Sequence, residues 1–177
     1  MLTLQNVDAG YNGIDVINNI TLNVKEGENL CIIGPNGCGK TTLIKAISGI
    51  IPHGGVIKID GTDIKNMKRE QVAKKIAVMS QISTIYFSYT IYETVLLGRY
   101  LHMKGRTFKE PSTKDKEYTD KCLKAVGLLG IKNKQISTLS GGQLQRVYLA
   151  RTLAQEPSII LLDEPTNHLD LKHQTEL

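Results

Sequence analysis

A glycine-rich loop at residues 34–42 is the feature that most constrains the fold of this chain. An apolar stretch at 30–33 precedes the loop, and apolar residues with helical spacing follow it from Leu43. A strand, a glycine-rich loop and a helix in this order are typical of a phosphate-binding loop, because glycines let several backbone N–H groups converge on one anion. The loop residues expected to contact nucleotide phosphates are Gly34, Pro35, Asn36, Gly37, Cys38, Gly39, Lys40, Thr41 and Thr42.

Two side chains of this loop add chemistry that the backbone does not supply. The Lys40 ammonium is predicted to contact the β- and γ-phosphates, and the Thr41 hydroxyl to ligate Mg²⁺. The helix after the loop adds the N–H groups of its first turn and the positive end of its dipole. The loop alone leaves the reaction open, because many unrelated activities use it.

Composition places the chain among ordinary globular proteins, with 41% hydrophobic and 22% charged residues. No apolar run approaches the roughly 18 residues that cross a membrane, and residues 1–5 lack a signal-peptide pattern. Three scattered cysteines, Cys31, Cys38 and Cys122, indicate a reducing compartment.

The net charge of +5 leaves two interpretations open, a solvated basic face or a surface for nucleic acid or a membrane. With two Phe and no Trp, the chain has little material for stacking nucleic-acid bases.

Hydrophobic patterns predict further strands at 2–7, 20–24, 56–59, 76–79 and 159–162, and a turn over 8–13. Helices are predicted after the phosphate loop, near 66–74 and from Ser112, and only helices and loops between 92 and about 154. The stripe Tyr118, Cys122, Ala125, Val126 and Leu129 is expected to pack in a core, with Cys122 inert. The pattern is that of an α/β fold interrupted by a helical insert.

A second motif spans Leu139–Gln143. Ser140 followed three positions later by Gln143 predicts a capping box at a helix start. That structural role does not explain Gly141 and Gly142, because each glycine in a helix costs about 1 kcal/mol relative to alanine. Close approach of a phosphate to the helix N-terminus would explain both glycines.

A third motif spans 159–164, where four large apolar residues predict a strand buried on both faces. Two acidic residues follow at the carboxyl end of this strand. Asp163 suits Mg²⁺ coordination, and Glu164 is placed to polarise a water for attack on the γ-phosphate. A pair of solvated acids before a proline is the alternative.

Two further residues stay open on the sequence pattern alone. Gln81 follows the strand at 76–79, at the edge where α/β folds place ligand-contacting groups, so it is either a contact to Mg²⁺ or the attacking water, or a loop amide. Tyr11 lies among turn residues and is either a rim tyrosine or a stacking surface for a heterocycle.

The three motifs, in this order, resemble those of the ATP-binding subunit of ABC transporters. The loop at 34–42 resembles the Walker A motif, Leu139–Gln143 matches the family signature, and 159–164 resembles Walker B. Gln81 stands where the family has its Q-loop glutamine, and Tyr11 where it has an adenine-stacking aromatic residue. The segment 167–170 resembles the D-loop.

The resemblance implies a single P-loop NTPase domain over 1–177. Residues 1–81 and 158–177 would form a mostly parallel RecA-like core with an N-terminal antiparallel β region, and 82–157 an inserted helical subdomain. Two copies would pair head to tail, with ATP between the phosphate loop of one and residues 140–143 of the other. The implied catalytic residues are Glu164, Gln81 and Lys40, and the implied Mg²⁺ ligands are Thr41, Gln81 and Asp163.

The resemblance further implies an ATPase on the cytoplasmic face of the cell membrane, which powers a transmembrane permease and has no nucleic acid partner. The segments 90–100 and 163–174 resemble importers of ferric siderophores, haem and cobalamin. The family fold continues past residue 177 through a strand with a switch histidine, and His168 and His173 follow Glu164 too closely to be it. With C-terminal strands missing, the 177-residue chain alone is expected to leave a slot in its sheet, bind nucleotide weakly and hydrolyse it poorly.

Two alternatives remain at the level of sequence. A soluble ABC-type ATPase of the DNA-repair class would carry a long coiled coil between the phosphate loop and the signature, and no heptads stand there. A translation factor would normally carry two such domains in one chain. A module that binds nucleotide without turnover is the second alternative. The acids Asp163 and Glu164 disfavour it for the parent protein, but the expected loss of C-terminal strands keeps it open for the 177-residue chain.

Overall fold

In the computed structural model of this protein, residues 1–79, 88–103 and 110–164 are described. The chain forms two compact units, Met1–Ile76 and Ala77–Leu177. Its strands and helices are β1 (Leu2–Tyr11), β2 (Ile14–Val24), α1 (Lys40–Ile47), β3 (Val56–Ile59), β4 (Thr62–Asp63), α2 (Arg69–Lys75), β5 (Ile76–Met79), α3 (Ile91–Leu96), α4 (Thr113–Ala125), α5 (Gly141–Ala154) and β6 (Ile159–Leu162). None of the helices formed by the described residues has the length and apolarity that a membrane crossing requires.

The first unit is built on the hairpin of β1 and β2, which pair antiparallel from Leu2↔Val24 to Tyr11↔Ile14. Asn12 and Gly13 connect them with φ of 54° and 77°. Positive φ at both central residues is what a two-residue hairpin turn requires, and Asn-Gly supplies it. The turn predicted over 8–13 was therefore too long, because pairing with β2 extends β1 to Tyr11.

The antiparallel sheet of this unit has the order β2-β1-β3-β4. In β3, Val56–Ile59, Ile57 and Ile59 are fully buried, and Ile57 pairs with the equally buried Leu4 of β1. Helix α1 buries Leu43, Ala46 and Ile47, the residues of its apolar face. The predicted N-terminal antiparallel β region is confirmed, with β3 at its predicted position.

The strand predicted at 30–33 is not formed. This segment belongs to no β-ladder of the described residues, and Leu30, Ile32 and Ile33 are exposed, Ile33 by 91%. A strand needs a neighbour for its backbone N–H and C=O groups, and the described part of the chain places no strand beside this one. The apolar pattern indicates that the side chains suit a strand. It does not indicate whether a neighbouring strand is there to pair with the backbone.

The second unit contains the predicted helices between 92 and 154. Ile91, Val95, Leu123, Leu128 and Val147 are fully or almost fully buried in its core. Ser112 caps α4, and its hydroxyl accepts from the Asp115 N–H at 3.2 Å in a capping box, as predicted.

The prediction of an apolar stripe on α4 is correct in part. Cys122 is buried, and burial raises the pKa of its thiol, which fits an inert cysteine. Tyr118, Val126 and Leu129 pack against the same core. Ala125 is exposed, and Leu123 is buried in its place, because the core reaches the side of α4 next to Cys122.

A buried arginine connects the helices of this unit. Arg99, whose side chain is 4% exposed, donates to Asp115 Oδ1 at 3.1 Å. Its Nη1 donates to the carbonyl of Ala154, the last residue of α5, at 3.0 Å and to Glu156 Oε2 at 2.9 Å. The guanidinium also lies over the Tyr118 ring, 4.6 Å from its centroid. Arg99 thereby ties the C-terminal end of α5 to the start of α4.

Strands β5 and β6 form a two-stranded sheet at their predicted positions. The prediction that 159–162 is buried on both faces is wrong, because Ile160 and Leu162 are exposed. Within the described residues, the sheet has only these two strands and no layer covers that face of β6.

Removing the charge of Asp115 should cost more stability than removing that of Glu156. The Asp115 side chain is 6% exposed and that of Glu156 51%, so Asp115→Asn leaves Arg99 buried without its best-shielded partner. We expect Asp115→Asn to lower the free energy of unfolding by about 3 kcal/mol and Glu156→Gln by less than about 1 kcal/mol. Urea unfolding followed by circular dichroism measures both, and equal losses would contradict this account of Arg99.

The carboxyl groups of Asp115 and Glu156 also predict that the fold loses stability in acid. Burial alone would raise the pKa of Asp115, but hydrogen bonds from Ser112 and Arg99 outweigh it and hold that pKa below its ordinary value of 3.8. The Arg99 hydrogen bond likewise lowers the pKa of Glu156 below its ordinary 4.5.

A carboxylate with a lowered folded-state pKa stabilises the fold fully above its unfolded pKa, and this stabilisation is lost as pH falls through the folded pKa. The contribution of Asp115 and Glu156 to the free energy of unfolding should therefore be constant above about pH 5 and fall below it. Asp115→Asn should flatten the acid limb relative to the parent. An unchanged slope in that variant would show that other groups control the acid limb.

Candidate functional site

The phosphate loop is shaped by close backbone approach at Gly39. This residue has φ of 96° and is the N-cap of α1. A Cβ at Gly39 would stand 2.5 Å from Cγ2 of Ile17 in β2, which no side chain tolerates. Gly37, with φ of 82°, also needs the left-handed conformation that glycine adopts freely.

The start of α1 carries no compensating negative charge. Gly39 offers no side-chain cap, the first turn holds no acidic residue, and the first helical bond runs from the Leu43 N–H to the Gly39 carbonyl at 2.9 Å. No residue of the first turn therefore neutralises the positive end of the helix dipole, and an anion bound by the loop would do so.

Lys40 is folded back over its own loop. Its ammonium donates to the carbonyls of Gly34 at 2.8 Å and Pro35 at 2.9 Å, and lies 3.9 Å from Cys38 Sγ. The ammonium thus contacts neutral acceptors of its own loop, and phosphate oxygens could accept the same protons.

Tyr11 lies beside the same helix. It ends β1, is 41% exposed, and has the Lys45 ammonium of α1 over its ring, 5.5 Å from the centroid. The structure thus brings Tyr11 and the helix of the phosphate loop together within one unit. Sequence reasoning missed Lys45, although its position four residues after Thr41 places both on one helix face.

The signature motif starts α5 as predicted. The Ser140 hydroxyl accepts from the Gln143 N–H at 3.3 Å, and Gln143 Oε1 accepts from the Ser140 N–H at 3.2 Å. This reciprocal pair is a capping box. Gly141 and Gly142 form the first turn, with Gly141 exposed, so no side chain obstructs approach from that end.

Asp163 and Glu164 follow β6 directly. Asp163 is buried, and its N–H donates to the carbonyl of Met79, the last residue of β5, at 2.9 Å. Glu164 has φ of 52°, a conformation uncommon for a residue other than glycine, asparagine or aspartate. Such backbone is more frequent at functional sites than elsewhere.

The predicted metal ligands are hard oxygen donors of the kind that Mg²⁺ prefers, a hydroxyl at Thr41 and a carboxylate at Asp163. Thr41 stands in the first turn of α1 in the first unit and Asp163 at the end of β6 in the second. Gln81 and the D-loop segment 167–170 lie outside the described residues, so their roles stay predictions.

Comparison with known proteins gives the family. The model of the family described as ABC transporter matches residues 17–167. An uncharacterized ABC transporter ATP-binding protein of Methanocaldococcus jannaschii is 44% identical, over 100% of this chain and 68% of the relative. The ferric enterobactin transport ATP-binding protein of Escherichia coli is 38% identical, over 98% of this chain and 64% of the relative.

A third relative and a solved structure agree with this family assignment. The iron(3+)-hydroxamate import ATP-binding protein of Bacillus subtilis is 34% identical, over 99% of this chain and 65% of the relative. A dimeric ATP-binding cassette, solved in a post-hydrolysis state with ADP and Pi bound, superposes with a TM-score of 0.81 at 33% identity, over 99% of this chain and 79% of that one. This chain thus spans about two thirds of the length of these three curated relatives. It belongs to the family of ABC transporter ATP-binding domains, whose P-loop NTPase fold it shares.

Proposed function

We propose that this chain is the ATP-binding and ATP-hydrolysing part of an ABC importer, with ATP held between two copies. The observation that carries the proposal is the phosphate loop itself. Gly39 packs against Ile17 with no room for a side chain, the Lys40 ammonium donates to a carbonyl of its own loop, and the helix begins without a negative charge. A bound triphosphate would place negative charge next to the loop backbone, the Lys40 ammonium and the helix N-terminus.

In binding, Lys40 exchanges the carbonyls of Gly34 and Pro35 for oxygens of the β- and γ-phosphates. The exchange costs little, because an ammonium makes stronger hydrogen bonds to charged acceptors than to neutral ones. Tyr11, exposed beside the same helix, offers its ring to the adenine. Thr41 and Asp163 would hold Mg²⁺, which neutralises charge on the phosphates when bound.

The second half of the pocket comes from the start of α5 in the other copy. The capping box occupies the side chain of Gln143 and the hydroxyl of Ser140, while the two glycines keep the helix end open. An anion there would meet N–H groups and the helix dipole. The related cassette with ADP and Pi is a dimer, which supports pairing of this kind.

Hydrolysis is assigned to Glu164 as the general base for water, with Gln81 as a further contact to the water or metal. The two neighbouring acids differ in environment, since Asp163 is buried at the strand end and Glu164 has left-handed backbone. We assign the metal to Asp163 and the water to Glu164. The reaction releases the second copy, since the triphosphate is what both copies bind.

The transported substrate is proposed to be a ferric siderophore or a related iron or corrin complex. Relatives named for ferric enterobactin and iron(3+)-hydroxamate import support it, as does the resemblance of 90–100 to such importers. The chain would act at the cytoplasmic face of the membrane, bound to a permease, with no nucleic acid partner.

Glu164→Gln should abolish turnover but not binding. Removing a general base lowers the hydrolysis rate by about 100-fold or more, while MgATP still bridges two copies. We expect size-exclusion chromatography of the whole protein with MgATP to show a stable dimer only for this variant. Glu117→Gln, the same change at an exposed position of α4, is the matched control. A Glu164→Gln protein that stays monomeric with MgATP would contradict either the base assignment or the pairing.

Nucleotide should protect Cys38 from alkylation. Cys38 and Cys31 are both exposed, but only Cys38 lies in the phosphate loop, within 3.9 Å of the Lys40 ammonium. At a nucleotide concentration 100 times the Kd, we expect the labelling rate of Cys38 to fall by about 100-fold, because the unliganded fraction falls in proportion. Mass spectrometry of labelled peptides measures it, with Cys31 as the internal control. Equal rates with and without MgATP at Cys38 would refute phosphate binding by this loop.

A further inference from the structure

Lys45 makes a contact that the proposed nucleotide site does not yet use. Its ammonium lies 5.5 Å from the centroid of the Tyr11 ring, within the range of a cation–π interaction. None of the ion pairs among the described residues includes Lys45. The aromatic ring is therefore the contact that holds this charge.

Hydrogen bonds to the carbonyls of Ile44 and Lys45 fix the backbone at the end of α1. Near the end of the helix, the Ser48 hydroxyl donates to the carbonyls of Ile44 at 2.9 Å and Lys45 at 3.2 Å, and the Ile50 N–H donates to the Lys45 carbonyl at 2.9 Å. Side chains on a helix lean towards its N-terminus, so the Lys45 stem runs in the direction of the phosphate loop.

Tyr11 is held less firmly by its own strand. It is the last residue of β1, paired only with Ile14 across the Asn12–Gly13 turn. With Lys45 in contact, it still keeps 41% of its surface exposed. The contact restricts the ring and leaves ring surface for a second flat partner.

We propose that Lys45 is a positioning residue for the nucleotide base, which acts through the ring of Tyr11. This inference rests on the proposed function, in which Tyr11 stacks on adenine. A ring that is already oriented loses less rotamer freedom when the base binds, so binding becomes tighter without any contact between Lys45 and the nucleotide.

A double-mutant cycle on the whole protein tests this coupling. Isothermal titration calorimetry gives Kd for MgATP and for magnesium tripolyphosphate, which has no base. We expect Lys45→Gln to weaken MgATP binding by about two- to five-fold and to leave tripolyphosphate binding unchanged. In a Tyr11→Ala background, Lys45→Gln should change neither Kd. Lys45→Arg should retain the parent affinity, since it keeps a cation near the ring.

The controls separate this coupling from a general charge effect. Lys74→Ala removes one charge from an exposed position of α2 in the same unit and should leave both Kd values unchanged. Equal weakening of MgATP and tripolyphosphate by Lys45→Gln would overturn the proposal, because Lys45 would then act on the phosphates. A Lys45→Gln effect that persists without Tyr11 would overturn it as well. An unsubstituted protein that binds no MgATP would refute the proposed function and this inference with it, whereas additive effects with intact binding refute this inference alone.

Discussion

The contact between the backbone of Gly39 and Ile17 decides how the first unit presents its site. A Cβ at Gly39 would stand 2.5 Å from the Ile17 side chain, so only glycine lets α1 begin this close to β2. Because β2 is paired along its length with β1, the same contact brings the end of β1 next to α1. Tyr11 and Lys45 meet there, so the ring proposed to stack on a base lies beside the helix that follows the proposed phosphate loop.

In the second unit a buried charged residue fixes the positions of the helices, whereas in the first unit a glycine lets a helix and a strand approach closely. Arg99 donates at the same time to the carbonyl of Ala154 at the C-terminal end of α5 and to Asp115 in the first turn of α4. Losing one partner of a buried ion pair is costly, so the position of α5 is strongly determined at its far end. The other end of α5 carries the capping box of Ser140 and Gln143, and the two glycines place no side chain there. A rigid helix anchored at one end can present the other to a ligand with little loss of freedom on binding.

Local signals in the sequence were reliable guides. The capping boxes at Ser112 and Ser140, the strands at 56–59 and 76–79, and the helix after the phosphate loop depend on neighbouring residues, and all are present. Predictions that depended on distant partners did less well. The stretch at 30–33 has the composition of a strand but lacks a neighbour in the described residues, and β6 is exposed on one side for the same reason. Arg99 gave no sequence signal, because its partners are far away in the chain.

The order and spacing of motifs therefore predicted the family, which the comparisons show, and the residues proposed to bind phosphate, since these follow from short stretches whose chemistry is local. Only the tertiary structure decided which side chains meet. It placed Lys45 over Tyr11 and Arg99 among Asp115, Ala154 and Glu156. The physical reason is that such contacts arise when separate elements pack, and the geometry of packing depends on every residue at the interface rather than on any one stretch of sequence.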